Sequence, residues 1–240
     1  MWEDRAEIIL TCTIIPLNMK TRSLSFVVSP EIGKVSAELI TPDYPVCIIT
    51  LAHGAGAGMN HEFMVSISKS LAEQNFAVLR FNFPFMENQK RRPDSPAVAH
   101  KTIEEAIKKA LELFPSLPVF VSGKSFGGRM SSQYLATQLA ADVKGIIFLG
   151  FPLHQSGKPS VERAEHLKSI VVPMLFLQGT RDTLASNELI EKVCTSLQLA
   201  TLKTIEGANH AFKAGKQDLI PLLTDSTTSW VNKQIGGGTK

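Results

Sequence analysis

The sequence predicts an α/β fold with a mostly parallel central sheet and helices on both faces. Three observations carry this expectation. From residue 46 onward, strand-like and helix-like runs alternate without interruption. The run VCIITLAHGAG (46–56) is continuously apolar and ends in glycines, as a strand buried on both faces does. The chain has 240 residues, 44% of them hydrophobic, enough for one large domain with a substantial core.

The elements follow in order. SLSFVVSPEIGKVSAELITP (23–42) reads as two strands around a Ser-Pro…Gly turn. After the buried strand, HEFMVSISKSLAEQNF (61–76) carries apolar residues at helical spacing, and AVLRFNFPF (77–85) is the next strand. Pro84, Pro93 and Pro96 mark a loop. TIEEAIKKALELF (102–114) is an amphipathic helix, with Thr102 and Glu105 spaced as a capping box. Glu104 and Glu105 each precede a lysine by four residues. Strand 118–123, helix 127–140, strand 145–151, strand 172–180, helix 187–198, strand 200–207 and a helix from Asp218 to Ile235 complete the alternation. The expected division is an N-terminal arm or extra strand over 1–22, one domain over 23–235 and a frayed tail over 236–240.

Composition excludes several classes. Charged residues make up 20% of the chain and its net charge is only +3, so neither a disordered chain nor a nucleic-acid binder is expected. Lys90-Arg91-Arg92 is the one tight basic cluster and reads as a solvated loop. The apolar stretch Ile8–Leu17 is too short to span a membrane and lacks the basic flank of a secretory signal. Cys12, Cys47 and Cys194 are odd in number and widely spaced, which fits a reducing, cytoplasmic setting rather than disulfides or zinc. No metal or organic cofactor is implied.

The stretch VSGKSFGGRM (121–130) admits two frames. Gly123-Lys124-Ser125 could end a phosphate-binding loop. The first glycine of that pattern would then fall on Pro118, and residues 118–122 read as the strand itself, so the phosphate cradle is missing. The other frame, Gly123-Lys124-Ser125-Phe126-Gly127, is a G-x-S-x-G elbow between a strand and a helix. It would present Ser125 on a strained turn at the carboxyl end of its strand. Gly123, Gly127 and Gly128 would leave room where strand and helix cross.

A serine hydroxyl needs a base. His210 follows the last predicted strand and Asp182 follows the strand before it, so both belong at the sheet edge that carries Ser125. The order Ser125…Asp182…His210 suits nucleophile, acid and base. Phe126 and a residue of the His53–Gly58 loop, Ala55 first and Gly56 second, are the candidate oxyanion donors. Met59 and His61 follow that loop and His154 ends a strand at the same edge, so all three are candidate substrate contacts. His61 reads equally well as a helix-start residue. Lys124, beside the nucleophile, could attract an anionic substrate, although a solvated or ion-paired role is the simpler expectation.

With LAHGAGAGMN, GKSFGGR, GTRD and GANH in hand, the sequence resembles the α/β-hydrolase superfamily over roughly Ser23–Ile235. In detail it resembles the small dienelactone-hydrolase-like branch, together with a testis-expressed hydrolase-like protein and a subunit of a chromatin acetyltransferase complex. The resemblance implies the α/β-hydrolase fold and a Ser-His-Asp triad, but no substrate. The nucleophile position holds Ser125 where dienelactone hydrolases use cysteine, which argues against that specific activity. The stretch from His154 to Val171 can hold one short helix at most, so no cap domain is expected and the site should be open. A small-molecule acyl substrate follows, cleaved by an esterase or thioesterase. The rival expectation is a hydrolase-fold scaffold with little or no catalysis, which the chromatin-complex resemblance motivates.

Overall fold

The computed structural model describes residues 18–138 and 141–236. Cys12, most of the expected N-terminal arm and all but Gly236 of the expected tail lie outside the described residues. Eight strands form one sheet in the order β1-β2-β4-β3-β5-β6-β7-β8. They are β1 (Met19–Ser29), β2 (Gly33–Pro42), β3 (Cys47–Ala52), β4 (Phe76–Phe81), β5 (Val119–Lys124), β6 (Val143–Leu149), β7 (Met174–Gly179) and β8 (Ala200–Ile205). The β1–β2 and β2–β4 pairings are antiparallel, and every pairing from β4 through β8 is parallel.

The apolar strand runs become the sheet centre. All six residues of β3 are buried, as are all six of β4. Helices α1 (Glu62–Ala72) and α6 (Ile220–Gly236) cover one face, where Met64, Ile67, Leu223 and Trp230 meet Ile49, Phe120 and Leu175. Helices α3 (Pro96–Leu113), α4 (Phe126–Thr137) and α5 (Asn187–Thr195) cover the other, where Ile103, Met130 and Ile190 meet Ile48, Phe148 and Phe176. One-sided helices on a two-sided hydrophobic sheet produce this three-layer arrangement. Between β6 and β7 there is only a 3-10 segment, Glu162–Ser169, and no cap domain.

Several boundaries differ from expectation. β1 begins at Met19 rather than Ser23 because residues 19–22 pair with 39–42 of β2. The first helix stops at Ala72; Asn75 adopts φ 62°, a left-handed turn that Asn tolerates, and Phe76 already belongs to β4. Pro84 opens a four-residue helix, α2 (Pro84–Glu87). Pro96 also starts a helix rather than marking a loop, since proline at the first helical position sacrifices no intrahelical bond. Thr102 is therefore mid-helix, and its Oγ1 donates to the Val98 carbonyl instead of forming a capping box. Glu104 pairs with Lys108 as its spacing suggests; Glu105 pairs with Lys101 and Lys108, while Lys109 turns to Glu112. Cys47 and Cys194 are free and buried, and burial pushes both thiols up to about 12. Among the described residues, no helix is long and apolar enough to cross a membrane.

Candidate active site

Ser125 sits between β5 and α4 with φ 49° and ψ −112°. A side chain rarely adopts this conformation, and here the surrounding glycines enforce it. A Cβ on Gly123 would lie 2.3 Å from the Gly128 nitrogen, and one on Gly127 would lie 2.6 Å from the carbonyl oxygens of Ala52 and His53. The helix can therefore cross β3 and β5 only over bare backbone, and the tight turn follows. Phe126 begins α4, so its N–H has no intrahelical carbonyl to meet.

The turns after β7 and β8 bring the other two groups to Ser125. His210 Nε2 lies 2.7 Å from Ser125 Oγ, and His210 Nδ1 lies 2.7 Å from Asp182 Oδ2. The Asp182 side chain has no exposed surface, whereas that of His210 retains 23%. Three donors serve the buried carboxylate. The Gln178 amide and His210 meet Oδ2, and the Leu184 N–H meets Oδ1. Glycine is again required for the approach: a Cβ on Gly179 would come 2.2 Å from the Ala208 carbonyl oxygen.

The loop after β3 closes the opposite side. A Cβ on Gly54 would lie 3.7 Å from Ser125 Cβ, so this loop runs directly along the serine. His53 anchors it from below. Its Nδ1 donates to the Gly54 carbonyl at 2.7 Å, and its Nε2 accepts from the Phe83 N–H at 2.9 Å. Burial pushes His53 down to about 4, which keeps the ring neutral and able to accept that bond. The far end of the loop is held by Asn82, which accepts from the Met59 N–H, and by Arg80, which donates to the Met59 carbonyl.

A cavity of about 360 Å³ opens over these groups, lined among others by Ala55, Gly56, His61, Lys124, Ser125 and His210. His61, Phe63 and Ala211 also line a larger recess of about 560 Å³ between α1 and the segment leading into α6. Among the described residues, no three or more His, Cys, Asp or Glu side chains gather as a metal site.

An alpha/beta hydrolase domain model matches residues 45–226. The chain belongs to the alpha/beta hydrolase family. A proline iminopeptidase of Thermoplasma volcanium is 32% identical over 130 residues, 50% of this chain; the chain spans 42% of that relative's length. Among solved structures, a protein of unknown function from Agrobacterium tumefaciens superposes with a TM-score of 0.71 at 20% identity, covering 90% of this chain and 98% of that one. A dienelactone hydrolase from Anabaena variabilis superposes with a TM-score of 0.67 at 18% identity, covering 88% and 96% respectively.

Two of the candidate substrate contacts, His154 and Met59, do not line the cavity over Ser125. His154 is buried away from the cavity; its Nε2 accepts from the Ser186 N–H and its Nδ1 donates to the Gln155 carbonyl. It steadies the segment after Asp182. Met59 is buried too, and its backbone is taken up by Asn82 and Arg80. His61 does line the cavity, and its Nδ1 also caps α1 by accepting from the Phe63 N–H. Sequence reasoning did not find Gln178 or the anchoring bonds of His53. Gln178 stands four residues before Asp182 in LQGTRD, but nothing in a strand pattern says which buried amide will turn to a carboxylate.

A second serine–histidine pair exists, with Ser132 Oγ 2.7 Å from His166 Nε2. Ser132 is fully buried in α4, and among the described residues no carboxylate bonds to His166. Burial, then the Arg129 charge, push His166 down to about 4. This pair joins α4 to the 3-10 segment, and its serine has no exposed surface.

Proposed function

We propose that this protein is a serine hydrolase that cleaves small acyl esters or thioesters through an acyl-enzyme. The observation that carries the reading is the continuous chain Ser125–His210–Asp182, with both links at 2.7 Å, beneath an open cavity. Ser125 Oγ attacks the acyl carbon while His210 Nε2 takes its proton. Asp182 holds the imidazole by Nδ1 and stabilises its charged form. The developing oxyanion is received by the N–H of Phe126 and by that of Ala55, with Gly56 as the alternative donor on the same loop. His210 then protonates the leaving alcohol or thiol, and water repeats the sequence to release the acid.

The absence of a cap between β6 and β7 favours small acyl compounds over large lipids. The reading includes one functional domain over 23–235, a cytoplasmic setting supported by two buried free thiols, and kinship with the testis-expressed and chromatin-complex proteins of the dienelactone-hydrolase-like branch. It involves no cofactor and no nucleic acid. The test is a fluorophosphonate probe followed by an ester and thioester panel. Covalent labelling at Ser125 and turnover, both lost in Ser125→Ala, are expected. Folded wild-type protein that neither labels nor turns over any member would overturn the reading in favour of a scaffold.

A further inference from the structure

Among the described residues, Lys124 is the only lysine, arginine or carboxylate in the lining of the cavity over Ser125, which also includes the apolar Ala55, Ala57, Phe63, Met64 and Leu184. No described aspartate or glutamate lines it. We infer that the acyl group this site accepts is short and carries its own anionic group, a carboxylate that binds at Lys124 while the ester carbon sits at Ser125. The inference rests on the serine-hydrolase reading and narrows its substrate class.

Three features of Lys124 point this way. It is only partly exposed, and its one hydrogen bond among the described residues runs to the His210 carbonyl oxygen at 2.5 Å, while an ammonium has three donors. Its nitrogen lies 5.3 Å from the Phe212 ring centroid, an aromatic face that attracts a cation without neutralising it. No carboxylate forms an ion pair with it among the described residues, unlike Arg80 with Glu38 or Lys101 with Glu104. A cation withdrawn from water without an anion is costly, and a ligand carboxylate offsets that cost. Burial pushes Lys124 down to about 8, with the charge of Asp182 acting in the opposite direction, and a carboxylate bound beside it would act in the same direction as Asp182.

Geometry limits the acyl length. Lys124 and Ser125 line the same cavity of about 360 Å³, a space that suits a short acyl chain ending in a carboxylate. The fitting class is the monoester or monothioester of a short dicarboxylic acid.

The experiment compares 4-nitrophenyl hemisuccinate with 4-nitrophenyl butyrate, which have similar size and differ by one charge. Wild type should favour the hemisuccinate by about tenfold or more in kcat/KM, the range expected of a charge-assisted bond in a partly desolvated site. Lys124→Met should remove most of that preference, chiefly through KM for the anionic ester, and Lys124→Arg should retain part of it. A wild-type preference for butyrate, or none, overturns the inference. So does an equal loss on both esters in Lys124→Met, which would make Lys124 only a tether for the His210 turn. If both esters turn over slowly, protection against the fluorophosphonate probe decides instead: succinamate should protect wild type about fivefold better than butyramide, and equal protection overturns the inference. Protein that labels and hydrolyses without charge preference defeats this inference alone. Protein that neither labels nor hydrolyses defeats the serine-hydrolase reading as well.

Discussion

Gln178 Nε2 donates to Asp182 Oδ2 at 2.6 Å, the same oxygen that faces His210. Its other end, Oε1, accepts from the Phe151 N–H at 2.9 Å. One fully buried amide therefore ties the end of β7 to the turn after β6 and to the carboxylate that orients the histidine. Replacing it with Leu leaves the Phe151 N–H unpaired and takes one donor from a buried carboxylate. Gln178→Leu should cost about 2–3 kcal/mol of stability and lower kcat about tenfold or more, with KM little changed. Urea unfolding and steady-state kinetics on one activated ester check this. Unchanged kcat in a folded variant would mean that Asp182 needs no such support.

Asp182→Asn tests the carboxylate itself. Its Oδ2 faces His210 Nδ1, and an amide nitrogen in that place would favour the wrong imidazole tautomer. In serine proteases with a Ser-His-Asp triad, that change costs on the order of ten-thousand-fold in turnover. A loss of at least about a hundredfold in kcat is expected here, since water can enter the open site and partly substitute. A variant within about threefold of wild type would remove Asp182 from the mechanism.

The Ser125 backbone makes a separate prediction about stability. At φ 49° and ψ −112°, the residue bears a Cβ where glycine would be at ease. Ser125→Ala keeps that Cβ and should leave stability within about 0.5 kcal/mol of wild type. Ser125→Gly relieves the strain, and although the unfolded chain gains entropy, a net gain of about 1 kcal/mol is expected. Both should be inactive. The comparison of thermal melting points decides it: a glycine variant less stable than the alanine variant would mean that the turn is not strained.

The chain pattern makes most of this legible, for reasons that particular residues explain. Buried parallel strands such as Cys47–Ala52 are written as uninterrupted apolar runs, so the sheet can be read directly. The glycines at 123, 127 and 128 mark a backbone crossing with no space for side chains, and the contacts of 2.3 to 2.7 Å that a Cβ would meet give the reason. Helix starts are harder to read. Proline at 84 and 96 opens a helix in each case, although a proline can equally mark a loop, and only the tertiary path decides which. His154 departs from expectation for a similar reason. It lies five residues beyond the end of β6 rather than at a strand end, and its ring turns to backbone groups of Gln155 and Ser186, because sequence position does not encode side-chain direction. Gln178 and His53 act by hydrogen bonds to Asp182 and Phe83, which no strand or helix pattern records.

Gly127→Ala offers a direct test of the crossing. The new Cβ would lie 2.6 Å from two backbone carbonyl oxygens, those of Ala52 and His53, and neither belongs to a flexible side chain. α4 must therefore lift from β3, which moves Phe126 and Ser125 together. A loss of about 3 kcal/mol or more and no probe labelling are expected. Gly56→Ala is the control in the loop after β3, because a Cβ there meets nothing within 4 Å. It should stay within about 0.5 kcal/mol of wild type. Equal stability of the two variants would contradict the packing described for the elbow.

The last prediction concerns acid. His53 is fully buried, and its Nε2 accepts the Phe83 N–H, so a proton on Nε2 would set two N–H groups against each other. Its value falls from an ordinary 6.5 to about 4 because burial opposes the charged ring. The folded state therefore binds fewer protons than the unfolded state between these two values, and stability rises with pH across that window. The His53 contribution is complete above pH 6.5 and is lost as pH falls toward about 4; it amounts to on the order of 3 kcal/mol. His166, shifted down to about 4, and the lowered carboxyls of Glu87, Glu104 and Glu105 act with the same sign, so wild type alone cannot isolate it. His53→Gln keeps a donor and an acceptor but cannot titrate. Between about pH 7.5 and 4.5, wild type should lose about 2 kcal/mol more than this variant in urea unfolding. Equal losses would mean that the ring protonates without disturbing the loop over Ser125.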